Sequence, residues 1–270
     1  MNDLEKKTSE FLDKKSVRQH DMVRYSHARI NIGHTGGHVK TADWLAFQSD
    51  FAEAKDAVSS TFDLAVMHDH CQRLAIPALT IHSKPVDLVQ FLLRPEMGKL
   101  LTAESEALLA NTIKTDPTVI DNDLLIVISG GLSPIAIAHQ APKFLTELIK
   151  LTKKSNLSVA PICINPRGRV ALGDQINQYF NAKMVIMLIG ERPGLSTPDS
   201  LGVYFTYQAK PGCTDAERNC ISNIHDHGLP PVRATEKLIN LIKKSMSLGM
   251  SGVMLKDDEV IPEQAKPVSN

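Results

Sequence analysis

The stretch Asp123-Leu124-Leu125-Ile126-Val127-Ile128-Ser129-Gly130-Gly131 decides the fold class of this chain. A short, uninterrupted apolar run that ends in two glycines is typical of a strand buried on both faces of a parallel sheet. Further apolar runs follow, separated by helical segments, and we predict helices at about 141–154, 173–180 and 232–248. Further strands are predicted at 157–164, 183–189 and 203–207, with Pro161 weakening the first of them or placing it near an edge. Strands that alternate with helices indicate an α/β domain with a mostly parallel sheet.

The sequence before this stretch is predicted to be mainly helical. Phe47, Phe51, Ala54 and Val58 follow one another at spacings of four, three and four, which predicts an amphipathic helix over 41–59. We predict a short extended element at 87–93 and a further helix over 98–114. The chain is therefore expected to comprise a mainly helical N-terminal region, residues 1–120, and a Rossmann-like α/β domain, residues 121–270.

The composition excludes several classes of protein. Thirty Lys and Arg balance thirty Asp and Glu, so the formal net charge is +0, and 43% of the residues are hydrophobic. A nucleic-acid-binding protein usually has a basic excess and a disordered chain has low hydrophobicity, so neither class is expected. No apolar run is long enough for a membrane span, and the N-terminal residues do not form a signal peptide. The four cysteines form no Cys-x-x-Cys pair, and we expect a soluble, cytoplasmic protein whose neutral surface favours association with a partner.

Three loops follow the predicted parallel strands, at 129–131, 165–170 and 190–194. Ligands of parallel α/β sheets bind beyond the carboxyl ends of the strands, where these loops would meet. All three loops are rich in glycine, proline or polar residues. Turns between strands and helices require such residues even without a ligand, but three of them at one sheet edge favour a binding site.

The chain lacks the short motifs of several common chemistries. It contains no Gly-x-Gly-x-x-Gly, no phosphate-binding loop of the Walker type and no Gly-x-Ser-x-Gly. Two groups suggest a metal, namely His68-Asp69-His70-Cys71 and Cys220 with His225 and His227, but neither has the ligand number and spacing of a closed zinc site. The residues alone thus predict a ligand site built from loops, with no recognisable catalytic group and no metal.

Several longer strings resemble a known family. Most of them lie in the C-terminal half, and they recur in order across roughly residues 85–255, with weaker similarity over 28–58. They are Arg94-Pro95-Glu96-Met97-Gly98, Gly168-Arg169-Val170, Asp174-Gln175-Ile176, Gly190-Glu191-Arg192-Pro193-Gly194-Leu195, Cys220-Ile221-Ser222-Asn223-Ile224-His225 and Pro230-Pro231. On these strings the chain resembles the small (light) subunit of ethanolamine ammonia-lyase, an adenosylcobalamin-dependent enzyme.

The resemblance implies a function and three cofactor contacts. Val170, Glu191 and Cys220 correspond to positions that contact cobalamin in the family. The corrin rim carries neutral amides and the nucleotide tail adds hydroxyls, so Glu191 would accept hydrogen bonds while Val170 and Cys220 contribute backbone groups and packing. The family forms a hetero-oligomer in which a separate large subunit, a TIM barrel, converts ethanolamine to acetaldehyde and ammonia by radical chemistry. This chain would be a subunit of that carbon–nitrogen lyase, with no catalytic residue of its own and no activity alone.

The chain departs from the family pattern after its first apolar strand. Where the family string would be Ile-Ser-Asp-Gly-Leu-Ser-Thr-Asp, this chain has Gly130, Pro134 and Ile135, and two carboxylates are missing. Two other classes stay open, namely an independent Rossmann-like enzyme that binds a nucleotide and a purely structural subunit. Leu4, Phe11 and Leu12 would form either a packaging stripe for a bacterial microcompartment or part of a frayed, solvated helix.

Overall fold

A computed structural model describes residues 34–257, which divide into two compact units. In the first unit, residues 34–56 and 194–198, a short antiparallel hairpin joins β1 (His34–Thr35) to β2 (His38–Val39). Helix α1 (Thr41–Ser59) follows, as the apolar spacing predicted. Its Phe47 ring stacks on both Trp44 and Phe51, with ring centroids 5.6 and 6.2 Å apart. The second unit comprises residues 57–193 and 199–257.

A six-stranded sheet forms the centre of the second unit. In chain order its strands are β3 (Ala78–Thr80), β4 (Leu124–Ser129), β5 (Ile162–Asn165), β6 (Met184–Gly190), β7 (Leu201–Tyr207) and β8 (Arg218–Ile224). In space the order is β3-β5-β4-β6-β7-β8, and β7 runs in the opposite direction to the other five strands. The predicted α/β class with a mostly parallel sheet is confirmed. Its finer assignment as Rossmann-like stays a prediction.

Helices cover both faces of this sheet. In the described residues they are α2 (Leu64–Arg73), α3 (Leu88–Leu93), α4 (Ala103–Thr115), α5 (Pro134–Lys154), α6 (Leu172–Phe180) and α7 (Pro231–Leu248). Successive side chains of β4 alternate between two buried apolar layers, because the side chains of a strand point to opposite faces in turn. One layer includes residues of α5 and α7, and the other includes residues of α4 and α6.

Three local expectations were wrong. The predicted extended element at 87–93 is helix α3, which begins because the Asp87 carboxylate accepts a hydrogen bond from the Gln90 backbone N–H at 2.7 Å and so caps it. Strands β3 and β8 were not predicted. Pro161 precedes β5, so it does not interrupt the ladder, and β5 lies between the edge strand β3 and β4.

The first 120 residues contribute to the same sheet as the rest of the chain. Their described part holds α1 to α4 and also β3, which pairs with β5. Leu4, Phe11 and Leu12 lie outside the described residues, and the division near residue 120 stays a prediction. None of the helices between residues 34 and 257 is long and apolar enough to cross a membrane.

Candidate functional site

The three loops predicted from the sequence meet in one cleft. It has a volume of about 400 Å³ and lies at the carboxyl ends of β4 and β6, where parallel sheets bind ligands. Its lining consists of Gly131, Leu132, Arg169, Val170, Ile189, Gly190, Glu191, Arg192 and Tyr204. The first two residues follow β4, the next two follow β5, and Tyr204 is added by β7.

A second cavity, of about 450 Å³, lies at the opposite edge of the sheet. Two of its polar lining residues pair with each other, through a hydrogen bond from Asn181 Nδ2 to Asp121 Oδ1 at 2.5 Å. None of the three residues named by the family resemblance lines it. We therefore take the cleft at the carboxyl edge as the candidate site.

Glycines let the loops after β4 and β6 touch through their backbones. A Cβ on Gly190 would overlap the carbonyl oxygen of Ser133 and lie 2.5 Å from that of Gly130. Gly131 has a φ of +55°, a conformation that side chains disfavour, and its Cβ would overlap the carbonyl oxygen of Gly190. The Leu132 N–H donates to that same Gly190 oxygen at 3.0 Å. The two glycines therefore let the loops after β4 and β6 pack backbone against backbone at the cleft.

The loop after β5 is fixed from two sides. Ser129 Oγ accepts a hydrogen bond from the Gly168 N–H at 2.8 Å. The Arg169 guanidinium lies 4.2 Å from the centroid of the Phe91 ring and donates to the Phe91 carbonyl oxygen at 3.0 Å. Burial and the nearby Arg192 lower the pKa of Arg169. Arg169 thus serves mainly to hold this loop against α3.

Glu191 has one oxygen engaged by the protein. Its Oε2 accepts hydrogen bonds from Ser200 Oγ at 2.5 Å and from the Asn223 backbone N–H at 3.2 Å. No described residue donates to Oε1, which lies beside Gly202, where a Cβ would come within 2.9 Å of it. Glu191 is half-buried and lines the cleft, so Oε1 is the oxygen left to accept a hydrogen bond from a ligand.

Val170 and Tyr204 form an uncharged wall of the cleft, and Cys220 lies beside Tyr204. Val170 and Tyr204 are both half-buried against the same apolar layer of the sheet. Tyr204 faces Cys220 across β7 and β8 as its cross-strand partner. Cys220 is exposed, yet desolvation of its sulfur raises the pKa of Cys220 to about 11, and burial raises the pKa of Tyr204. Both groups are therefore neutral at physiological pH.

The structure thus brings together the three residues named by the family resemblance. Val170 and Glu191 line the cleft, and Cys220 lies beside it as the cross-strand neighbour of Tyr204. Their role as cofactor contacts stays a prediction. Tyr204 was missed, although its alternation with the buried Val203 and Phe205 is a signal that it lies on the opposite face of the strand.

The histidine-rich segment of α2 makes hydrogen bonds to the protein. His68 Nε2 lies 2.6 Å from Thr80 Oγ1, and His70 Nε2 lies 3.1 Å from Thr146 Oγ1. Burial raises the pKa of the neighbouring Cys71 to about 11. Among residues 34–257 no group of three His, Cys, Asp or Glu side chains is placed to hold a metal ion.

Comparisons with known proteins agree with the resemblance. The family model described as ethanolamine ammonia-lyase light chain (EutC) matches residues 17–256. The ethanolamine ammonia-lyase small subunit of Pseudomonas fluorescens (strain Pf0-1) is 42% identical over 238 residues, which cover 88% of this chain and 86% of that protein. The small subunit of Rhodopseudomonas palustris (strain BisA53) is 40% identical over 241 residues, which cover 89% and 90% of the two chains. Because the family match spans most of the sequence, this chain belongs to the ethanolamine ammonia-lyase light chain family.

Proposed function

We propose that this chain is the small subunit of an adenosylcobalamin-dependent ethanolamine ammonia-lyase. In this proposal its cleft binds part of the cobalamin at the interface with a large catalytic subunit, which converts ethanolamine to acetaldehyde and ammonia. The observation that carries the proposal is the convergence of Val170, Glu191 and Cys220 at one sheet edge, although they come from three separate segments.

The chemistry of the cleft fits the cofactor. The amides and hydroxyls of cobalamin are neutral hydrogen-bond donors, and Glu191 Oε1 is an acceptor without a partner among the described residues. Val170 and the neutral Tyr204 and Cys220 offer a wall that an uncharged macrocycle can pack against. A cleft of about 400 Å³ is smaller than cobalamin, which supports a site completed by a partner.

The cofactor and the residues of this chain would have different roles in the reaction. When bound, adenosylcobalamin supplies the radical chemistry. The residues of this chain would bind and orient the cofactor through Glu191, and would exclude water through the apolar side of Val170 and Tyr204. No described residue is assigned a role as acid, base or nucleophile.

An exposed apolar face on α3 supports a partner subunit. Val89 and Leu93 lie one turn apart on α3 and are 62% and 74% exposed, and the preceding Val86 is 85% exposed. The same helix buries Phe91 under Arg169, a residue that lines the cleft. Apolar side chains grouped in this way often mark an interaction surface. We expect Leu93→Asp to weaken co-purification with the large subunit, whereas an unchanged yield of complex would assign the interface to another surface.

Reconstitution tests the proposal directly. The chain is mixed with the large subunit, adenosylcobalamin and ethanolamine, and the acetaldehyde formed is measured. We expect turnover only when both subunits are present. Full activity of the large subunit without this chain would contradict the proposal.

A single substitution separates a cofactor role from a purely structural one. In Glu191→Gln, the two donors at the Oε2 position favour the amide oxygen there, which leaves the NH₂ group facing the ligand. Loss of an acceptor for a ligand donor then weakens cobalamin binding by roughly 10-fold or more, the usual effect of losing a hydrogen bond to a charged group. Glu104→Gln, at an exposed position of α4, is the matched control. Equal affinity of the Glu191→Gln complex and the wild type would indicate a structural subunit.

The location of the complex in the cell is a separate part of the proposal. We expect the assembled enzyme in the cytoplasm, and packaging into a bacterial microcompartment would require the N-terminal residues Leu4, Phe11 and Leu12. Localisation of the chain with and without residues 1–16 decides between free and packaged enzyme. An unchanged distribution would remove the packaging role.

A further inference from the structure

Glu191 lines the cleft, and its carboxylate accepts hydrogen bonds from two protein donors, Ser200 and Asn223. We propose that Ser200 and Asn223 are positioning residues, which fix Oε2 of Glu191 so that Oε1 is presented to a neutral donor on the cofactor. This inference rests on the proposed function, because it concerns how the same cleft recognises cobalamin.

Ser200 is joined to Glu191 twice. Its hydroxyl donates to Oε2 at 2.5 Å, and its carbonyl oxygen accepts the Glu191 backbone N–H at 3.0 Å. Ser200 is 6% exposed, so water has little access to compete for its hydroxyl. A hydrogen bond from a buried hydroxyl to a carboxylate is short and directional. Main chain and side chain together therefore fix the Glu191 carboxylate in one orientation.

The second donor depends on an uncommon backbone conformation. Asn223 has a φ of +61°, in the left-handed region that residues other than glycine rarely adopt, although asparagine tolerates it best. In this conformation, at the end of β8, its N–H points to Oε2 at 3.2 Å. A conformation of this kind persists only when the surrounding structure holds it.

The turn that follows holds Asn223 in place. Its carbonyl oxygen accepts the Leu229 N–H at 2.9 Å, and its Oδ1 lies 2.8 Å from Nε2 of His225. Burial lowers the pKa of His225, so the ring is neutral at physiological pH and donates from Nε2. Gly228 completes the turn, because a Cβ there would lie 2.5 Å from both the Asn223 carbonyl oxygen and His225 Nε2.

The two donors reach the same oxygen from different segments, Ser200 directly before β7 and Asn223 in β8. To turn Oε1 away from the cleft, Glu191 would have to give up both hydrogen bonds at Oε2. The acceptor is therefore in position before the ligand binds, and little side-chain freedom is lost on binding.

The test uses the complex of both subunits and the equilibrium binding of adenosylcobalamin. We expect Ser200→Ala to weaken binding roughly 3- to 10-fold, the effect of one lost hydrogen bond. Ser247→Ala, at an exposed position of α7, is the matched control and should bind like the wild type. Unchanged affinity of Ser200→Ala would overturn the inference.

A double-mutant cycle distinguishes positioning from a general structural effect. If Ser200 acts only through Glu191, then Glu191→Ala and the double variant Glu191→Ala/Ser200→Ala bind cobalamin equally well. A structural role would instead give the same loss from Ser200→Ala in both backgrounds, which overturns the inference. If Glu191→Ala itself binds like the wild type, the proposed cofactor role of Glu191 fails, which is a different outcome.

Two substitutions test Asn223. Asn223→Gly keeps the backbone N–H and favours positive φ, so affinity should stay within about twofold of the wild type. Asn223→Val disfavours that conformation and should weaken binding, with no further loss in the Glu191→Ala background. Thermal unfolding of each variant reports whether it is folded. An equal loss in both variants would mean that the Asn223 side chain, and not its backbone donor, matters.

Discussion

Gly190→Ala tests the geometry that forms the cleft. Gly190 ends β6, and its carbonyl oxygen accepts the Leu132 N–H at 3.0 Å. An added Cβ would overlap the Ser133 carbonyl oxygen and lie 2.5 Å from the Gly130 carbonyl oxygen. Neither oxygen can rotate away, because both belong to the backbone, so the two loops must separate.

The cost of this separation can be estimated. Overpacking of a tight interior site costs about 1–3 kcal/mol. Loss of the Leu132 hydrogen bond adds about 0.5–1.5 kcal/mol. A well-tolerated replacement of glycine by alanine would instead stabilise the chain by about 0.4–1 kcal/mol. We therefore expect Gly190→Ala to lower the free energy of unfolding by about 2–4 kcal/mol.

Urea denaturation of the purified chain measures this effect. Gly194→Ala is the matched control, since the nearest atom to its Cβ would be the Thr197 carbonyl oxygen at 3.9 Å. The control should change the free energy of unfolding by less than about 1 kcal/mol. A wild-type urea midpoint for Gly190→Ala would refute the backbone contact between the two loops and the shape of the cleft that follows from it.

Two further predictions concern charges in the second unit. Asp174→Ala leaves Arg218 buried without its carboxylate, 2.6 Å away in the wild type, and should lower the free energy of unfolding by about 3–5 kcal/mol in urea denaturation. Burial alone would raise the pKa of Asp123, but hydrogen bonds from Lys183 and Ser158 lower this pKa below its ordinary value of 3.8. The stabilisation from Asp123 is thus complete above pH 3.8 and is lost as the pH falls through the lowered pKa, so Asp123→Asn should reduce the acid sensitivity of the urea midpoint.

The central strands and the position of the cleft could be predicted because one physical pattern determines both. Strands β4 and β6 lie within one residue of their predicted limits, since each is a continuous apolar run that ends at glycine or serine. In a parallel sheet the loops after such strands share an edge, so the sequence alone predicted that Gly131, Val170 and Glu191 would lie close together.

Strand β8 could not be predicted, because its apolar residues do not alternate. Ile221 and Ile224 are both buried although they are three residues apart, which is the spacing of a helix. The register shifts between Leu201 and Val203, and this bulge turns both isoleucines to the same face. The donors to Glu191 were missed for a related reason, since Ser200 and Asn223 reach it across nine and thirty-two residues of sequence.

The departures from the family string after β4 have local reasons. A Cβ at Gly130 would overlap the carbonyl oxygen of Pro166, so this backbone has no room for the carboxylate that the family string would place there. Pro134 occupies the first turn of α5, where its missing N–H costs no hydrogen bond, and Ser133 caps the helix by accepting the Ala136 N–H at 3.2 Å. The β4 side of the cleft is thus built from backbone contacts and a helix cap. The charged side chains that line the proposed cofactor site are therefore those of Arg169, Glu191 and Arg192, which follow β5 and β6 rather than β4.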